Sequence, residues 1–385
     1  MSGHARERVL AVESKYIEFK SRVTDIFACF DLNVRGKSVL IKPNLLFYTE
    51  PEQGLNTHPA IVEAVIAECE RQGAARVVVG DNAGQVMYGN SRQAFMESAG
   101  FGDRLSRYYV NLGLDLVPHQ FAPLGITLYV PKLLKEVEVV INLPKMKTHL
   151  TVGISGAVKN TFGYIPGGQK AKMHLLANDF ELFGRVIAGV HALRPPDLNI
   201  TDCILAMQGG GPFSRSLAYL NCVLASTNAL ASDCAMCEIM GMKPEDVPHL
   251  RSARDIGIGS MKGFELIGEL PQAPDFIRSP GFDGRTPLRE IFLSTSLRRD
   301  GSRSVPRVTK ESCTKCGQCV SQCPTGTLAV DREGFPAMTG VPCASCHACQ
   351  EVCDDKAVFL DVPDDFSTAH HVTWEGPSLG AKPHL

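Results

Sequence analysis

Three features are absent from this sequence: a long apolar run, a strong excess of one charge, and a standard nucleotide-binding motif. No stretch approaches the ~20 apolar residues of a membrane helix, and residues 1–16 lack the apolar centre of a signal peptide. The formal net charge of −2 argues against a protein that binds nucleic acid over its whole surface. We therefore expect a cytoplasmic protein with no membrane and no nucleic acid among its partners.

Motifs for common nucleotide chemistry are missing as well. No G-x-G-x-x-G follows a predicted strand, and no Walker lysine motif is present, so standard dinucleotide binding and phosphoryl transfer lose support. The chain nevertheless has 385 residues, 44% of them hydrophobic, which is enough for about two to three globular domains.

The first 240 residues alternate apolar strand-like runs with amphipathic stretches. SVLIKPNLL and RVVVGDNAG predict buried strands, and the segment between them predicts a helix that starts near His58 and stops at Gly73. VEVVINLPKMKTH predicts a strand that runs into Pro144 and a polar loop, and two more strand units follow before residue 240. This order predicts an α/β domain with a mostly parallel sheet covered by helices on both faces.

The sequence has fourteen cysteines, and eight of them lie within 41 residues. The run C-x2-C-x2-C-x3-C-P occurs once, and its cysteine spacing recurs 30 residues later. In this pattern three closely spaced thiolates hold one 4Fe-4S cluster and the fourth reaches a second cluster, whereas structural zinc favours pairs of C-x2-C. We predict two 4Fe-4S clusters, one held by Cys313, Cys316, Cys319 and Cys353 and the other by Cys343, Cys346, Cys349 and Cys323.

The segment around these cysteines resembles the bacterial two-cluster ferredoxins, except that Asp354 stands where the second run usually has Pro. The resemblance implies a small α+β domain in which cysteine caps every iron, an arrangement suited to electron transfer. A Pro-, Gly-, Arg- and Ser-rich stretch precedes it and predicts a linker. The predicted organisation is an α/β domain at 1–270, a linker at 271–304, the two-cluster ferredoxin domain at 305–361 and a tail at 362–385.

The stretch from Val139 to Asn178 has no acidic residue but is rich in glycine, lysine and histidine. Glycines and lysines after a strand bring backbone N-H groups and ammonium charge to an anion. We expect this stretch to bind a phosphate, carboxylate or nucleotide-like group. The alternatives are a solvated basic loop, or a surface that docks an acidic electron carrier.

Further polar residues follow the predicted strands. In open α/β sheets, ligands bind at the carboxyl ends of the strands, so we expect these side chains to converge on one pocket. The predicted cofactor-binding residues are Lys42, Asn44, Asp81, Lys145, Lys159 and Asn160, and the predicted catalytic residues are Lys147, His149 and His174.

Together these segments resemble the domain-of-unknown-function family numbered 362, whose members are often fused to a ferredoxin segment. The resemblance rests on IKPNLL, NTHPAIVEAVI, VVVGDNAG, VVINLPKMKTH, GISGAVKNTFG, DCILAMQGGGP and STNALASDCAMCEIMG. The THP segment and the lysine-rich loop are also distantly similar to the lactate racemase superfamily, which uses a nickel-pincer nucleotide held by Lys and His.

These observations favour an oxidoreductase, specifically a reductase. An external low-potential donor, a ferredoxin or a reductase, would load the clusters, and the electrons would pass to an anionic small molecule held by Lys145, Lys147 and Lys159. His149 or His174 would supply the proton. The alternatives are an electron-transfer protein without its own substrate, and a non-redox racemase-like or lyase-like enzyme with structural clusters. No motif demands an additional organic cofactor such as a flavin.

Overall fold

The computed structural model describes residues 7–47, 49–83, 96–113, 115–177, 179–212, 214–279 and 305–360. These residues form an α/β domain, up to residue 279, and a small cysteine-rich domain that begins at residue 305. Within the described ranges, no helix combines the length and the apolar character needed to cross a membrane.

An eleven-stranded sheet forms the centre of the α/β domain. Its main path runs β13-β1-β12-β10-β7-β2-β3-β4, and the neighbours from β10 to β4 are parallel, whereas β12 is antiparallel to both β1 and β10. Strands β5 and β6 lie outside this sheet and pair with each other. The strands of the domain are β1 Arg8–Glu13, β2 Ser38–Pro43, β3 Arg76–Asp81, β4 Tyr109–Asn111, β5 Leu116–Phe121, β6 Ile126–Pro131, β7 Val139–Leu143, β8 Lys145–His149, β9 Gly153–Ser155, β10 Leu198–Gln208, β11 Ser216–Tyr219, β12 Cys222–Ser226 and β13 Glu265–Ile267.

Helices cover both faces of this sheet. Successive strand side chains point to opposite faces, so Val39 and Ile41 of β2 enter one core while Leu40 enters the other. The helices α1 and α2 bury their apolar faces in the first core, and α7, α8 and α9 bury theirs in the second. The helices are α1 Phe19–Cys29, α2 Pro59–Gln72, α3 Asp103–Ser106, α4 Leu133–Glu136, α5 Ala157–Asn160, α6 Gly167–Leu176, α7 Phe180–His191, α8 Ala229–Ile239 and α9 Pro248–Asp255.

The cysteine-rich domain consists of two short antiparallel strand pairs and two short helices. Strand β14 pairs with β17 and β15 pairs with β16, and α11 packs against α6 of the α/β domain. The elements are β14 Pro306–Val308, α10 Gln318–Ser321, β15 Leu328–Val330, β16 Pro336–Met338, α11 Ala348–Glu351 and β17 Val358–Leu360.

The predicted fold class, a mostly parallel α/β sheet with a C-terminal cysteine-rich domain, is confirmed. The polar loop predicted after Pro144 is wrong, because residues 145–149 form strand β8, which pairs with β10 and β9. The predicted linker lies outside the described residues from 280 onward. Its first part still packs on the α/β domain, where Phe276 is buried and the Ile277 carbonyl accepts a hydrogen bond from Gly209. The predicted tail lies wholly outside the described residues.

Candidate functional site

The eight cysteines of the C-terminal domain form two groups in space. The charged neighbours of Cys319 are the thiols of Cys313, Cys316 and Cys353, which we call the outer cysteine set. The neighbours of Cys346 include the thiols of Cys343 and Cys323, which together with Cys349 form the inner cysteine set. Burial, together with the neighbouring thiols, raises the pKa of the Cys319 thiol to about 11 and that of the Cys346 thiol to about 12. An all-thiol donor set with this like-charge crowding fits iron-sulfur ligation.

The two sets are similarly buried. Each has two buried cysteines, Cys319 and Cys353 in the outer set and Cys346 and Cys349 in the inner set, and Cys316 of the outer set is exposed. The inner set owes part of its burial to helix α6, because Ala171 and Leu175 pack against Cys346 and its neighbours. Helix α6 is therefore the part of the α/β domain that packs against the inner cysteine set.

At the carboxyl ends of β2 and β3, the structure joins two of the predicted residues in a buried ion pair. Lys42 Nζ lies 3.0 Å from Asp81 Oδ1, and both side chains are inaccessible to solvent. Burial lowers the pKa of Lys42, and Asp81 opposes this shift. Only glycine fits at residue 163, where an added Cβ would lie 2.4 Å from both Lys42 Nζ and Asp81 Oδ1.

A chain of amide side chains connects this pair to Lys147. Asn160 Oδ1 accepts a hydrogen bond from Asn44 Nδ2 at 2.9 Å, and Asn160 Nδ2 donates to Asn142 Oδ1 at 2.7 Å. Lys147 Nζ in turn donates to Asn44 Oδ1 at 2.7 Å and to the Leu55 carbonyl at 2.8 Å. The residues predicted from three separate strand ends are thus neighbours, held by neutral hydrogen bonds.

Three lysines of the site lack a carboxylate partner, and we call Lys147, Lys159 and Lys170 the unpaired lysines. None of them forms an ion pair among the described residues; Lys170 donates to the Asn82 carbonyl, and Lys159 has no hydrogen-bond partner there. Burial, together with the charge of Lys170, lowers the pKa of Lys159 to about 8. Burial also lowers the pKa of Lys170 to about 8 and holds that of Lys147 well below its usual value. Lysines therefore outnumber carboxylates here, because Asp81, a charged neighbour of Lys147 and Lys170, is already paired with Lys42.

Three histidines border the unpaired lysines. Burial and Lys159 hold the pKa of His149 well below its usual value, and burial lowers the pKa of His174 to about 4. His249, on α9, is fully buried with no partner for either ring nitrogen among the described residues, and Lys159 is among its charged neighbours. All three rings are neutral at pH 7, so they offer hydrogen bonds and no charge.

The predicted cofactor-binding role of Lys145 does not match its surroundings. Lys145 Nζ lies 2.8 Å from both Asp202 Oδ2 and the Tyr16 hydroxyl, and Tyr16 also donates to Asp202 Oδ1 at 3.0 Å. All three side chains are buried, so this ammonium already has its counter-charge. We assign the paired network of Tyr16, Lys145 and Asp202 to the interior of the fold and not to a ligand.

At the two helix starts of the glycine-rich stretch, four backbone N-H groups are bonded within the chain and are not open to a ligand. The N-H groups of Ala157 and Val158, at the start of α5, donate to the buried carboxylate of Asp233 at 2.5 and 2.9 Å. At the start of α6, those of Gly168 and Gln169 donate to Glu351 at 2.6 and 3.2 Å. Burial raises the pKa of Asp233 to about 7. Burial also raises the pKa of Glu351 to about 8. The chain supplies its own carboxyl groups to both helix starts, so side chains remain the candidates for ligand recognition.

Residues 39–238, just over half of the chain, match the model of a family described as a domain of unknown function, DUF362. The chain belongs to this family. Residues 306–329 match the model of a 4Fe-4S binding domain, so this DUF362 protein is also an iron-sulfur protein. The resemblance predicted from the sequence is confirmed for both parts.

Among curated proteins, the thylakoid-associated protein sll1697 of Synechocystis is 30% identical over 227 residues, which cover 58% of this chain and 69% of that protein. The RNA polymerase subunit Rpo3 of Methanosarcina mazei is 35% identical over 63 residues, 16% of this chain and 24% of the subunit.

Two solved structures show a weaker likeness. The lactate racemase apoprotein of Thermoanaerobacterium thermosaccharolyticum has a TM-score of 0.41 at 13% identity, over 61% of this chain and 57% of that one. A structural-genomics protein from Thermotoga maritima has a TM-score of 0.37 at 14% identity, over 58% of each chain. The chain thus spans somewhat more than half of either structure, and these scores carry no argument about its activity.

Sequence reasoning missed several residues that shape the DUF362 site. Asp202 and Asp233 each lie inside an apolar run, and a lone carboxylate in such a run is a signal that it is buried with a partner. His249 and Glu351 lie among other polar residues, so no sequence signal separates them from surface residues.

Proposed function

We propose that this protein is an iron-sulfur reductase that delivers low-potential electrons to an anionic substrate or cofactor. The outer and inner cysteine sets would each hold one 4Fe-4S cluster, and the unpaired lysines would hold the anion. Bound clusters of this type supply single electrons at low potential. The electron donor would be an external ferredoxin or reductase.

The observation that carries this proposal is the position of helix α6. On one side, its residues Ala171 and Leu175 contact the inner cysteine set. The same helix supplies Lys170 and His174, which are neighbours of Lys159, from the adjacent face. One helix thus borders both the predicted electron source and the predicted anion site, which would keep the two close.

The unpaired lysines supply the binding energy for an anion. Their lowered pKa values mean that the unliganded protein disfavours the protonated form of each lysine. An anion between them would favour that form. Charge-assisted hydrogen bonds from ammonium groups are about twice as strong as neutral ones. The amide chain through Asn44 and Asn160 fixes Lys147 in place before the ligand arrives.

The proton that accompanies reduction is better assigned to a lysine than to a histidine. The predicted donors His149 and His174 are neutral at pH 7, because burial holds the pKa of His149 well below its usual value and lowers that of His174 to about 4. Lys159, with a pKa of about 8, is protonated at pH 7 and close to the value that favours transfer. Lys159 Nζ is therefore the proposed proton donor, and His149 a hydrogen-bonding residue.

The burial of the lysines argues against the alternative of a carrier that docks an acidic protein. Lys42 and Lys147 expose 0 and 1% of their surface, and Lys159 and Lys170 are half-buried. A macromolecular surface would not reach Lys42 and Lys147 at this depth, and only the half-buried Lys159 and Lys170 are open to one. The absent carboxylates therefore favour a small-molecule ligand.

The test is anaerobic purification of the full chain, followed by iron and sulfide analysis and EPR of the dithionite-reduced protein. We expect about eight irons per chain, as two 4Fe-4S clusters require. The reduced protein, with no second enzyme present, is then mixed with a panel of carboxylates and phosphate esters, and reoxidation is followed by loss of the EPR signal.

Reoxidation by at least one anion, lost in Lys147→Met at unchanged iron content, would support the reductase. Full iron content with EPR signals that respond to no anion in the panel would instead support the electron-carrier alternative. Lys135→Met, which removes an exposed lysine, is the matched control and should behave as the wild type.

A further inference from the structure

Helix α6 holds the cysteine-rich domain through its first turn. Glu351, which lies between the last two cysteines in sequence, accepts hydrogen bonds from the Gly168 and Gln169 N-H groups. The approach is so close that a Cβ at Gly168 would lie 2.4 Å from the Ala348 nitrogen. The orientation of the inner cysteine set is therefore fixed against this helix.

One charged side chain of α6 points to the inner cysteine set. Lys172 is 6% exposed, and its Nζ donates to Gln322 Oε1 at 2.7 Å. Gln322 directly precedes Cys323, and the thiols of Cys323 and Cys346 are the charged neighbours of Lys172. Both thiols belong to the inner set. The charged neighbours of the outer-set thiol of Cys319 are thiols alone.

A buried ammonium affects a cluster through its charge. Reduction adds one negative charge, and a positive charge close by in a low-dielectric surrounding stabilises the reduced form. Exposed charges have a smaller effect, because water and salt screen them. Lys315, in the outer loop beside Cys316, is exposed and therefore screened.

We propose that Lys172 makes the two cysteine sets unequal by raising the reduction potential of the cluster held by the inner set above that of the outer set. The electron would then reside preferentially at the set that packs against α6, the helix that also supplies Lys170 to the proposed anion site. This inference rests on the two-cluster part of the proposed function but not on any substrate. In this proposal Lys172 acts on the cluster through its charge and does not contact the substrate.

The test is an EPR-monitored redox titration of full-length, cluster-loaded protein in the absence of any anion ligand. In the wild type we expect two midpoint potentials. In Lys172→Gln, the higher midpoint should move to more negative potential while the lower one stays, and K172R, which keeps the charge, should restore it. K315Q is the matched control and should leave the higher midpoint unchanged.

Equal midpoints in the wild type, or a K172Q protein with both midpoints unchanged or shifted alike, would overturn the proposal. If K172Q does not retain its iron, Gln322→Met decides, because it keeps the charge but releases the ammonium from its anchor. It should shift the same midpoint by less, and an unshifted midpoint would again overturn the role of Lys172. Since no anion is present, these outcomes are independent of whether the protein reduces one; a wild type with about four irons would overturn both proposals.

Discussion

Lys145 and Lys147 lie two residues apart on β8 and are equally buried, yet their regions differ in charge. Lys145 forms an ion pair with Asp202 in the paired network, whereas Lys147 donates only to neutral oxygens, and among its charged neighbours three lysines outnumber the carboxylate of Asp81. A buried lysine is therefore no sign of a ligand by itself. The proposed sign is the lack of an ion pair, and by this criterion we propose that one region stabilises the fold and the other binds an anion.

The largest predicted effect is a loss of stability when the paired network of Tyr16, Lys145 and Asp202 is broken. Lys145→Met should lower the free energy of unfolding by about 3–5 kcal/mol, because it leaves Asp202 buried without its partner charge. Denaturant titration of the full chain, followed by far-UV circular dichroism, measures this change. The double variant Lys145→Met/Asp202→Asn should recover part of the loss, since the unpaired charge is gone. A single variant as stable as the wild type would contradict the assignment.

The second prediction concerns an unpaired lysine. Lys159→Met should weaken the binding of sulfate, used as a probe anion, by about 10- to 100-fold, the value of a hydrogen bond from a charged group. The free energy of unfolding should stay the same or increase, because a repelled buried charge is removed. Isothermal titration calorimetry measures the affinity, with Lys135→Met as the control. Unchanged affinity together with lower stability would place Lys159 in the paired class.

The sequence predicts the cysteine-rich domain better than the anion site for a physical reason. Iron-sulfur ligands are local in sequence, and their spacing follows from the geometry of the cluster. The rule that ligands bind at strand ends brought together Lys42, Asn44 and Asp81, because parallel strands end on the same edge of a sheet. Fold class and candidate residues were thus accessible from the sequence.

Which lysine has a carboxylate partner could not be predicted from the sequence, because the pairing depends on contacts between distant segments. Lys145 and Lys147 look alike in sequence, and only the packing of β8 beside β10 gives one of them Asp202. Likewise, Glu351 lies 183 residues from the Gly168 N-H group that donates to it, so no local pattern reveals that this helix start is satisfied. Long-range electrostatics separates structural from ligand-binding residues, and it appears only in the folded chain.

The smallest predicted effect is a pH dependence that separates stability from binding. Lys159 and Lys170 have pKa values lowered to about 8, so the unliganded site loses its charge as the pH rises above 8. Sulfate affinity should therefore fall by up to about tenfold per pH unit for each lysine, while sulfate itself stays divalent.

Stability should change in the opposite direction. Because the unfolded chain holds these protons up to a pKa of about 10.4, the unliganded protein should become more stable between about pH 8 and 10. Calorimetry and denaturant titration across this range measure both slopes, and Lys159→Met should reduce each of them. A sulfate affinity that is constant from pH 7 to 9 would show that the unpaired lysines do not hold the anion, and would remove the distinction between the two regions.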